Sequence, residues 1–194
     1  MASSILEISE IREQLFKLTR EQYHEIAETL AFEKNTELLE GMVLFKMPKS
    51  SIHNFFINSI FKLLQNFIPQ NSFIQTEKTI AFQNSELEPD ISVVEGKLED
   101  YVFEHPSTAI LVVEVAKSSY GYDLAKLSTY AEAKVNHFWI VDLSANKLEV
   151  YTDPNGREYL SKKIYSPQEP ISIFGKEISL KEIFETASKK QNKT

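Results

Sequence analysis

The segment Ile110–Lys117, with the sequence ILVVEVAK, is the stretch on which the fold of this chain depends. Four aliphatic residues lead directly into Glu114, and the chain stays apolar for two more positions. A β-branched run of this kind is typical of a central strand. Removing an ionised carboxylate from water costs several kcal/mol even after the protein relaxes. A glutamate at the end of such a strand therefore needs a partner from a neighbouring segment.

The partner that the sequence offers is Asp90, in the segment Pro89–Val94 (PDISVV). An antiparallel pairing that places Val94 opposite Ile110 also places Asp90 opposite Glu114. Facing Cβ atoms lie about 5 Å apart, and two anions at that distance repel unless a cation lies between them or one takes up a proton. We therefore predict a Mg²⁺ site, in which Mn²⁺ can substitute, held by both carboxylates. The alternative is a turn aspartate and a strand-end glutamate that reaches solvent.

The segment after the strand, Tyr122–Lys134 (YDLAKLSTYAEAK), is predicted to form a helix. Asp123 and Lys126 are spaced i, i+3 and share one side of that helix, from which they can face Glu114. A lysine there could hold a scissile phosphate or orient the attacking water, whereas the alternative is a solvated helix face with a weak ion pair. The predicted apolar stripe beside this row consists of Leu124, Leu127 and Ala131.

The rest of the chain predicts a mixed α/β fold, with a central sheet flanked by helices. Thr19 and Gln22 form a capping box at the start of a helix, and a broad apolar face predicts another helix over residues 50–67. Residues 147–165 predict a hairpin with its turn at DPNG (Asp153–Gly156). We predict an extension over residues 1–18 and one domain over residues 19–194. Further strands are expected over residues 41–48, 72–76, 78–82 and 137–143.

The composition of the chain excludes or disfavours several classes of protein. The net charge of −7 disfavours a general nucleic-acid coat, although an enzyme with a local basic groove stays open. The absence of cysteine excludes disulfides and thiolate metal sites and favours a cytoplasmic protein. No apolar run approaches the roughly 18 residues of a membrane span, and the first residues lack the features of a secretory signal, so no membrane association is expected.

Two segments of the chain resemble a known protein family. The chain is similar to the Uma-two family of restriction-endonuclease-like proteins, within the PD-(D/E)XK nuclease superfamily. The similarity lies in EPDISVV (Glu88–Val94) and in the later segment LVVEVAKSSYGYDLAKLSTYAEAKVNHFWIVDL (Leu111–Leu143). The upstream segments LTREQYHEIAE and ELLEGMVLFKMPKSSIH also fit, so that the resemblance covers roughly Leu18–Tyr151. It implies a restriction-endonuclease-like core, a metal site at the sheet edge, and DNA as the partner. By analogy, cleavage of both strands implies a homodimer.

Carried over residue by residue, the resemblance implies that Asp90 and Glu114 are the metal-binding carboxylates. Glu40, in ELLEG, matches an upstream acidic position. It is a further metal candidate, with a structural role as the alternative. The later aspartate and lysine of the family match Asp123 and Lys126, which are implied to be catalytic.

The chain departs from the general superfamily pattern. The superfamily lysine should stand two residues after Glu114, where this chain has Ala116. The resemblance therefore favours Lys126 as the working lysine, with Lys117 as the local alternative. His53, in the first turn of its helix, is expected to be a partly exposed residue, with a phosphate or metal contact as the alternative.

These observations lead to a Mg²⁺-dependent enzyme that hydrolyses DNA phosphodiester bonds. The alternative is a module that keeps the nuclease fold without turnover and acts in DNA binding or regulation, because a fold does not fix function. The last-ranked hypothesis is a glycoside hydrolase that uses Glu40 and Glu114 as an acid/base pair.

Overall fold

The central feature of the fold is a six-stranded mixed sheet in a computed structural model that describes residues 14–30 and 35–191. The parallel pair in this sheet is β7 (Leu111–Ala116) with β8 (His137–Asp142), and its other neighbouring strands are antiparallel. The expectation of a mixed central sheet is therefore confirmed. In order across the sheet, the strands are β10 (Glu158–Tyr165), β9 (Lys147–Asn155), β8 (His137–Asp142), β7 (Leu111–Ala116), β6 (Ile91–Glu95) and β3 (Ser72–Thr76).

Smaller sheets and helices surround this sheet. A four-stranded sheet has the order β2 (Met42–Phe45), β1 (Thr36–Leu39), β5 (Ser85–Leu87) and β4 (Ile80–Phe82), and β11 (Ile171–Ile173) pairs with β12 (Lys176–Ile178). The helices are α1 (Arg20–Leu30), α2 (Ser51–Leu64), α3 (Tyr120–Ala125), α4 (Leu127–Glu132) and α5 (Lys181–Gln191), with a 3₁₀ turn at Leu98–Tyr101. None of the helices in the described ranges is long and apolar enough to cross a bilayer.

Helices α2 and α5 cover one face of the six-stranded sheet. Phe56 of α2 and Phe184 of α5 meet edge to face, with ring centroids 4.7 Å apart. Val113 and Val115 of β7 point into the same core, because side chains alternate between the two faces of a strand. This packing fixes the first turn of α2 next to the start of β6, where His53 contacts Asp90.

The four-stranded sheet and α4 cover the other face. Val112 and Ala116 of β7 pack with Leu39 of β1 and Tyr130 of α4 in a second core. Glu114 lies between Val112 and Ala116 along β7 and therefore shares their face. Its carboxylate is consequently placed inside the molecule, and the residue is only 3% exposed.

The register between β6 and β7 decides whether the two predicted carboxylates meet. Ile91 pairs with Val113 in an antiparallel ladder. The same register, extended by one residue, places Asp90 opposite Glu114. The predicted pairing of these two segments is confirmed.

The predicted helix over residues 122–134 is wrong in its continuity and in one residue of its apolar stripe, Leu124. Leu127 packs against the second core and Ala131 is buried, as predicted. The helix breaks at Lys126, which separates α3 from α4. Leu124 is 36% exposed, whereas Asp123 and Lys126 are 5% and 3% exposed. The polar row therefore faces inward, because buried carboxylates supply partners for Lys126 that an exposed helix would not have.

Other local predictions are partly confirmed. The capping box at Thr19 forms: its Oγ1 accepts from the Gln22 amide at 3.2 Å, and its own amide donates to the Gln22 side chain at 2.9 Å. The hairpin forms too, but β9 continues through Asn155, so the turn lies at residues 156–157 and not at DPNG. Strands β1 and β5 were not predicted. Most of the predicted extension, residues 1–13, lies outside the described residues.

The tight turn between β1 and β2 gives a prediction about stability. Gly41 has φ +80°, and a Cβ there would stand 2.7 Å from Cβ of Lys17 and 2.9 Å from the carbonyl oxygen of Leu18. Gly175, with φ +73°, has nothing within 4 Å of such a Cβ. Gly41→Ala should therefore lower the free energy of unfolding by at least about 1 kcal/mol more than Gly175→Ala does. The Gly175 variant adds only the strain of a positive φ, without the close approach. Urea unfolding measures both, and equal losses would contradict the close approach.

Candidate active site

A cavity of about 920 Å³ opens where β6 and β7 meet α2 and α3. It brings together four of the residues predicted from the sequence, Asp90, Glu114, Asp123 and Lys126, and the alternative Lys117 also lines it. In the described part of the chain, no three Asp, Glu or His side chains are already arranged around a metal position. Lysine ammonium groups lie among the carboxylates instead.

Lys126 is the most buried of the lysines that line the cavity. Its Nζ lies 3.0 Å from Oε1 of Glu37, 3.1 Å from Oε1 of Glu114 and 3.9 Å from Oδ1 of Asp123. It also stands 4.8 Å from the ring centroid of Tyr122. Burial alone would lower the pKa of Lys126, but the surrounding carboxylates outweigh it and raise that pKa above its ordinary value. The ammonium is therefore kept charged.

Glu114 and Asp123 experience the opposite effect. Burial raises the pKa of Glu114 to about 8, and the Lys126 ammonium only partly opposes that rise. Burial likewise raises the pKa of Asp123 to about 6. The hydroxyl of Tyr130 donates to Oε1 of Glu114 at 3.1 Å, and Ser119 donates to Asp123 at 2.7 Å. The carboxylates outnumber the lysine, so this part of the cavity favours an additional proton or cation.

Asp90 is held from several sides. Its Oδ2 accepts from the amide of Val115 at 2.8 Å and lies 3.0 Å from Nε2 of His53, while its Oδ1 accepts from Nζ of Lys49 at 2.9 Å. Burial alone would raise the pKa of Asp90, but these neighbours together lower it. The Asp90 amide donates to Oε2 of Glu114 at 3.4 Å, which links the two residues directly.

The expectation for His53 is wrong. The residue is 9% exposed and contacts Asp90, so it is not a partly exposed first-turn residue. The sequence placed it correctly in the first turn of α2, but its partner lies 37 positions further along the chain. A helical pattern carries no information about such a contact.

The structure does not bring Glu40 to this cavity. Glu40 lies in the turn after β1 with φ +52°, pairs with Arg157, and accepts from the hydroxyl of Thr129 at 3.3 Å. It lines a separate cavity of about 140 Å³.

Glu37 is the acidic residue of this segment that reaches the site, and sequence reasoning missed it. It is 2% exposed, and its Oε1 accepts from the hydroxyl of Tyr122 at 2.5 Å in addition to contacting Lys126. One signal could have identified it. In the segment TELLEG, Glu37 stands two residues before Leu39, so both share the face of β1 that packs toward the main sheet.

The two candidate lysines occupy different environments. Lys117 is exposed at the cavity mouth, whereas Lys126 is buried among carboxylates. Ala116, at the position of the superfamily lysine, is fully buried in the core beside α4. The geometry therefore favours Lys126 over Lys117 as the lysine of the site.

A second polar cluster fixes the start of α3. The buried carboxylate of Glu149 accepts from the hydroxyl of Tyr120, the first residue of α3, at 3.0 and 3.1 Å. It also accepts from Lys147 at 2.7 Å, Lys162 at 2.8 Å and Tyr151 at 2.5 Å. These contacts anchor to β9 the helix that carries Asp123.

The Lys126 cluster predicts a large stability difference between two lysine variants. Lys126→Met leaves three buried carboxylates without their ammonium, and loss of one partner of a buried pair costs about 3–5 kcal/mol. Lys117→Met, at an exposed position, should change the free energy of unfolding by less than about 0.5 kcal/mol. Urea unfolding at pH 7 measures both. A loss below 1 kcal/mol for Lys126→Met would show that the cluster is not held by this ammonium.

The Glu149 cluster predicts a dependence of stability on pH. Burial would raise the pKa of Glu149, but hydrogen bonds from Lys147, Lys162 and the tyrosines hold it at about 2, below its ordinary 4.5. Its stabilisation is therefore complete well above pH 4.5 and is lost as the pH falls toward 2.

Relative to the wild type, Glu149→Gln should lower the free energy of unfolding by about 3 kcal/mol at pH 7 and by less than about half of that at pH 3. Glu158→Gln, at an exposed position on β10, is the matched control and should show no such change. Urea unfolding at the two pH values tests this, and a pH-independent loss for Glu149→Gln would contradict it.

Comparison with known proteins places this site in a family. No curated protein sequence matches the chain significantly. The crystal structure of a "putative nuclease belonging to DUF820" from Anabaena variabilis ATCC 29413 is similar, with a TM-score of 0.70 and 17% identity, over 87% of this chain and 98% of that chain. At this identity the likeness shows a shared fold. The family model Uma2 (Uma-two), described as "Putative restriction endonuclease", matches residues 20–181. Because that match spans most of the chain and the whole cavity, the chain belongs to the Uma2 family.

Proposed function

We propose that this protein is a metal-dependent nuclease that hydrolyses DNA phosphodiester bonds, with Mg²⁺ held by Asp90 and Glu114. The observation that carries the proposal is the placement of both buried carboxylates and the buried Lys126 ammonium on one open cavity. The description of the family, "Putative restriction endonuclease", supports the same chemistry.

The residues present fit a hard divalent cation. Asp90 and Glu114 offer carboxylate oxygens, the ligands that Mg²⁺ and Mn²⁺ prefer, and the open cavity leaves room for water and phosphate oxygens. The excess of carboxylates over lysines near Glu114 is a further reason for a cation there. When bound, such an ion lowers the pKa of a coordinated water and offsets the negative charge on the phosphate.

The residues of the chain would then divide the remaining work. Lys126 is held charged, and its ammonium would stabilise the negative charge that develops on the scissile phosphate or orient the attacking water. Asp123 and Glu37 position that ammonium by ion pairing. His53 and the Val115 amide orient the carboxylate of Asp90. These supports fix the geometry before the substrate arrives, which lowers the cost of reaching the transition state.

A second candidate function is a nuclease-fold module without turnover that acts in DNA binding or regulation. One observation favours it: in the structure, lysines already pair with both metal-binding candidates, Asp90 with Lys49 and Glu114 with Lys126. Such pairs can neutralise the carboxylates without a metal. The two functions differ in whether cleavage accompanies metal binding.

The proposed nuclease includes a homodimer, because cutting both strands of a duplex requires two active sites. Dimer formation would place one cavity on each strand. The cleavage products distinguish a monomer from a homodimer, because a single active site nicks a supercoiled plasmid and paired active sites linearise it.

The direct test is cleavage of supercoiled plasmid DNA with Mg²⁺, Mn²⁺ or EDTA. We expect cleavage with either metal and none with EDTA. Asp90→Asn and Glu114→Gln should each lower the rate by at least about 100-fold because each removes a carboxylate from the metal site, and Lys126→Arg by about 10–100-fold. Circular dichroism checks that each variant is folded.

The matched controls are Lys117→Met, at the mouth of the same cavity, and Glu40→Gln, in the separate cavity. Both should retain the wild-type rate within about threefold, because neither residue is assigned to the metal or the phosphate. Cleavage that survives both Asp90→Asn and Glu114→Gln would refute the proposal. Metal binding without cleavage in the wild type would favour the non-catalytic module.

A further inference from the structure

Lys49 has an unusual position for a residue outside the predicted site. It lies in the connection between β2 and α2, and its Nζ stands 2.9 Å from Oδ1 of Asp90 and 2.6 Å from Oε1 of Glu77. The side chain of Lys49 is 32% exposed, whereas that of Asp90 is 7% exposed. A partly exposed ammonium thus bonds to a buried carboxylate that is a candidate metal ligand.

The two carboxylate oxygens of Asp90 differ in how many lone-pair positions remain free to accept a further partner. Oδ2 already accepts from the Val115 amide and contacts Nε2 of His53. Oδ1 has Lys49 as its hydrogen-bond partner. A carboxylate oxygen has two lone-pair positions, so the available position belongs to the atom that Lys49 contacts. A divalent cation bound at Oδ1 would therefore stand beside the Lys49 ammonium on the same atom.

We propose that Lys49 occupies the cation position at Asp90 in the metal-free protein and moves to a phosphate of the nucleic acid when the metal binds. This inference rests on the proposed function and adds a residue to it. Divalent cation and ammonium repel each other at one oxygen. Release of Lys49 from Asp90 also frees a positive charge at the moment when a polyanion has to be bound.

Glu77 keeps the displaced lysine within reach. Its carboxylate bonds to the same Nζ, and its side chain is 48% exposed, so it stands nearer to solvent than Asp90. Its backbone amide bonds to the carbonyl oxygens of Pro89 and Asp90 at 3.2 and 3.3 Å, which ties it to the same edge. Lys49 can therefore leave Asp90 and remain at the mouth of the cavity.

Lys46 provides a matched control. It belongs to the same connection after β2 and lines the same cavity. Its Nζ lies 2.8 Å from Oε2 of Glu88, and its side chain is 22% exposed. A variant of Lys46 removes one positive charge from the cavity without removing the partner of Asp90.

The first experiment is titration of the full chain with Mn²⁺, in which electron paramagnetic resonance measures the free ion. Lys49→Met should bind Mn²⁺ about tenfold more tightly than the wild type, which corresponds to about 1.4 kcal/mol. Lys46→Met should differ from the wild type by less than about threefold, the effect of a more distant charge. Equal or weaker binding by Lys49→Met would overturn the inference. Thermal melting confirms that the variants are folded.

The second experiment follows Lys49 itself in the wild-type protein. Amine acetylation with and without Mn²⁺, read by peptide mass spectrometry, reports how available each lysine is. Mn²⁺ should raise the labelling rate of Lys49 by at least about twofold, because the lysine loses one of its two carboxylate partners. Labelling of Lys46 should not change. A rate for Lys49 that is unaffected by Mn²⁺ would overturn the exchange.

Asp90→Asn separates failure of this inference from failure of the proposed function. If the wild type binds no Mn²⁺, or if Asp90→Asn binds it equally well, the metal site and the exchange are both refuted. If binding depends on Asp90 but Lys49→Met does not tighten it, the exchange alone is refuted.

Discussion

The ammonium of Lys126 is the constraint on which this site depends. It is buried and contacts carboxylates from β1, β7 and α3, so a single cation joins the small sheet, the main sheet and the broken helix. Those carboxylates outnumber it, and the pKa values of Glu114 and Asp123 rise as a result of burial among charges. The ammonium links these three elements, and the carboxylates around it still carry more negative charge than it neutralises.

Lys49 and Lys126 differ in a way that matters for function. Lys126 is enclosed, and its removal would leave a buried negative cluster. Lys49 is partly exposed and holds its second carboxylate near solvent, so its bond to Asp90 can exchange at modest cost. One lysine is thus a fixed component of the site, and the other is the one that makes way for a metal in the proposed exchange. The Glu149 cluster supports the fixed lysine by anchoring the start of α3, the helix that carries Asp123.

The parts predictable from sequence were those governed by strand alternation. The register that faces Asp90 with Glu114 is one that the apolar runs of two adjacent strands allow, and the structure has that register. Glu37 escaped prediction because β1, which is buried throughout, was not predicted as a strand. Its shared face with Leu39 is informative only once that strand is recognised. The burial of His53 and the break at Lys126 depend on partners distant in the chain. Local periodicity cannot report such partners, which is why Leu124 was assigned to the core and is exposed.

The proposed function requires that Asp90 and Glu114 share a divalent cation. The most direct measurement is anomalous X-ray diffraction from crystals of the protein soaked in Mn²⁺. We expect an anomalous peak between these two carboxylates, with Nζ of Lys49 displaced from Oδ1 of Asp90. A Mn²⁺ peak elsewhere, or none, with Lys49 still bonded to Asp90 would contradict it.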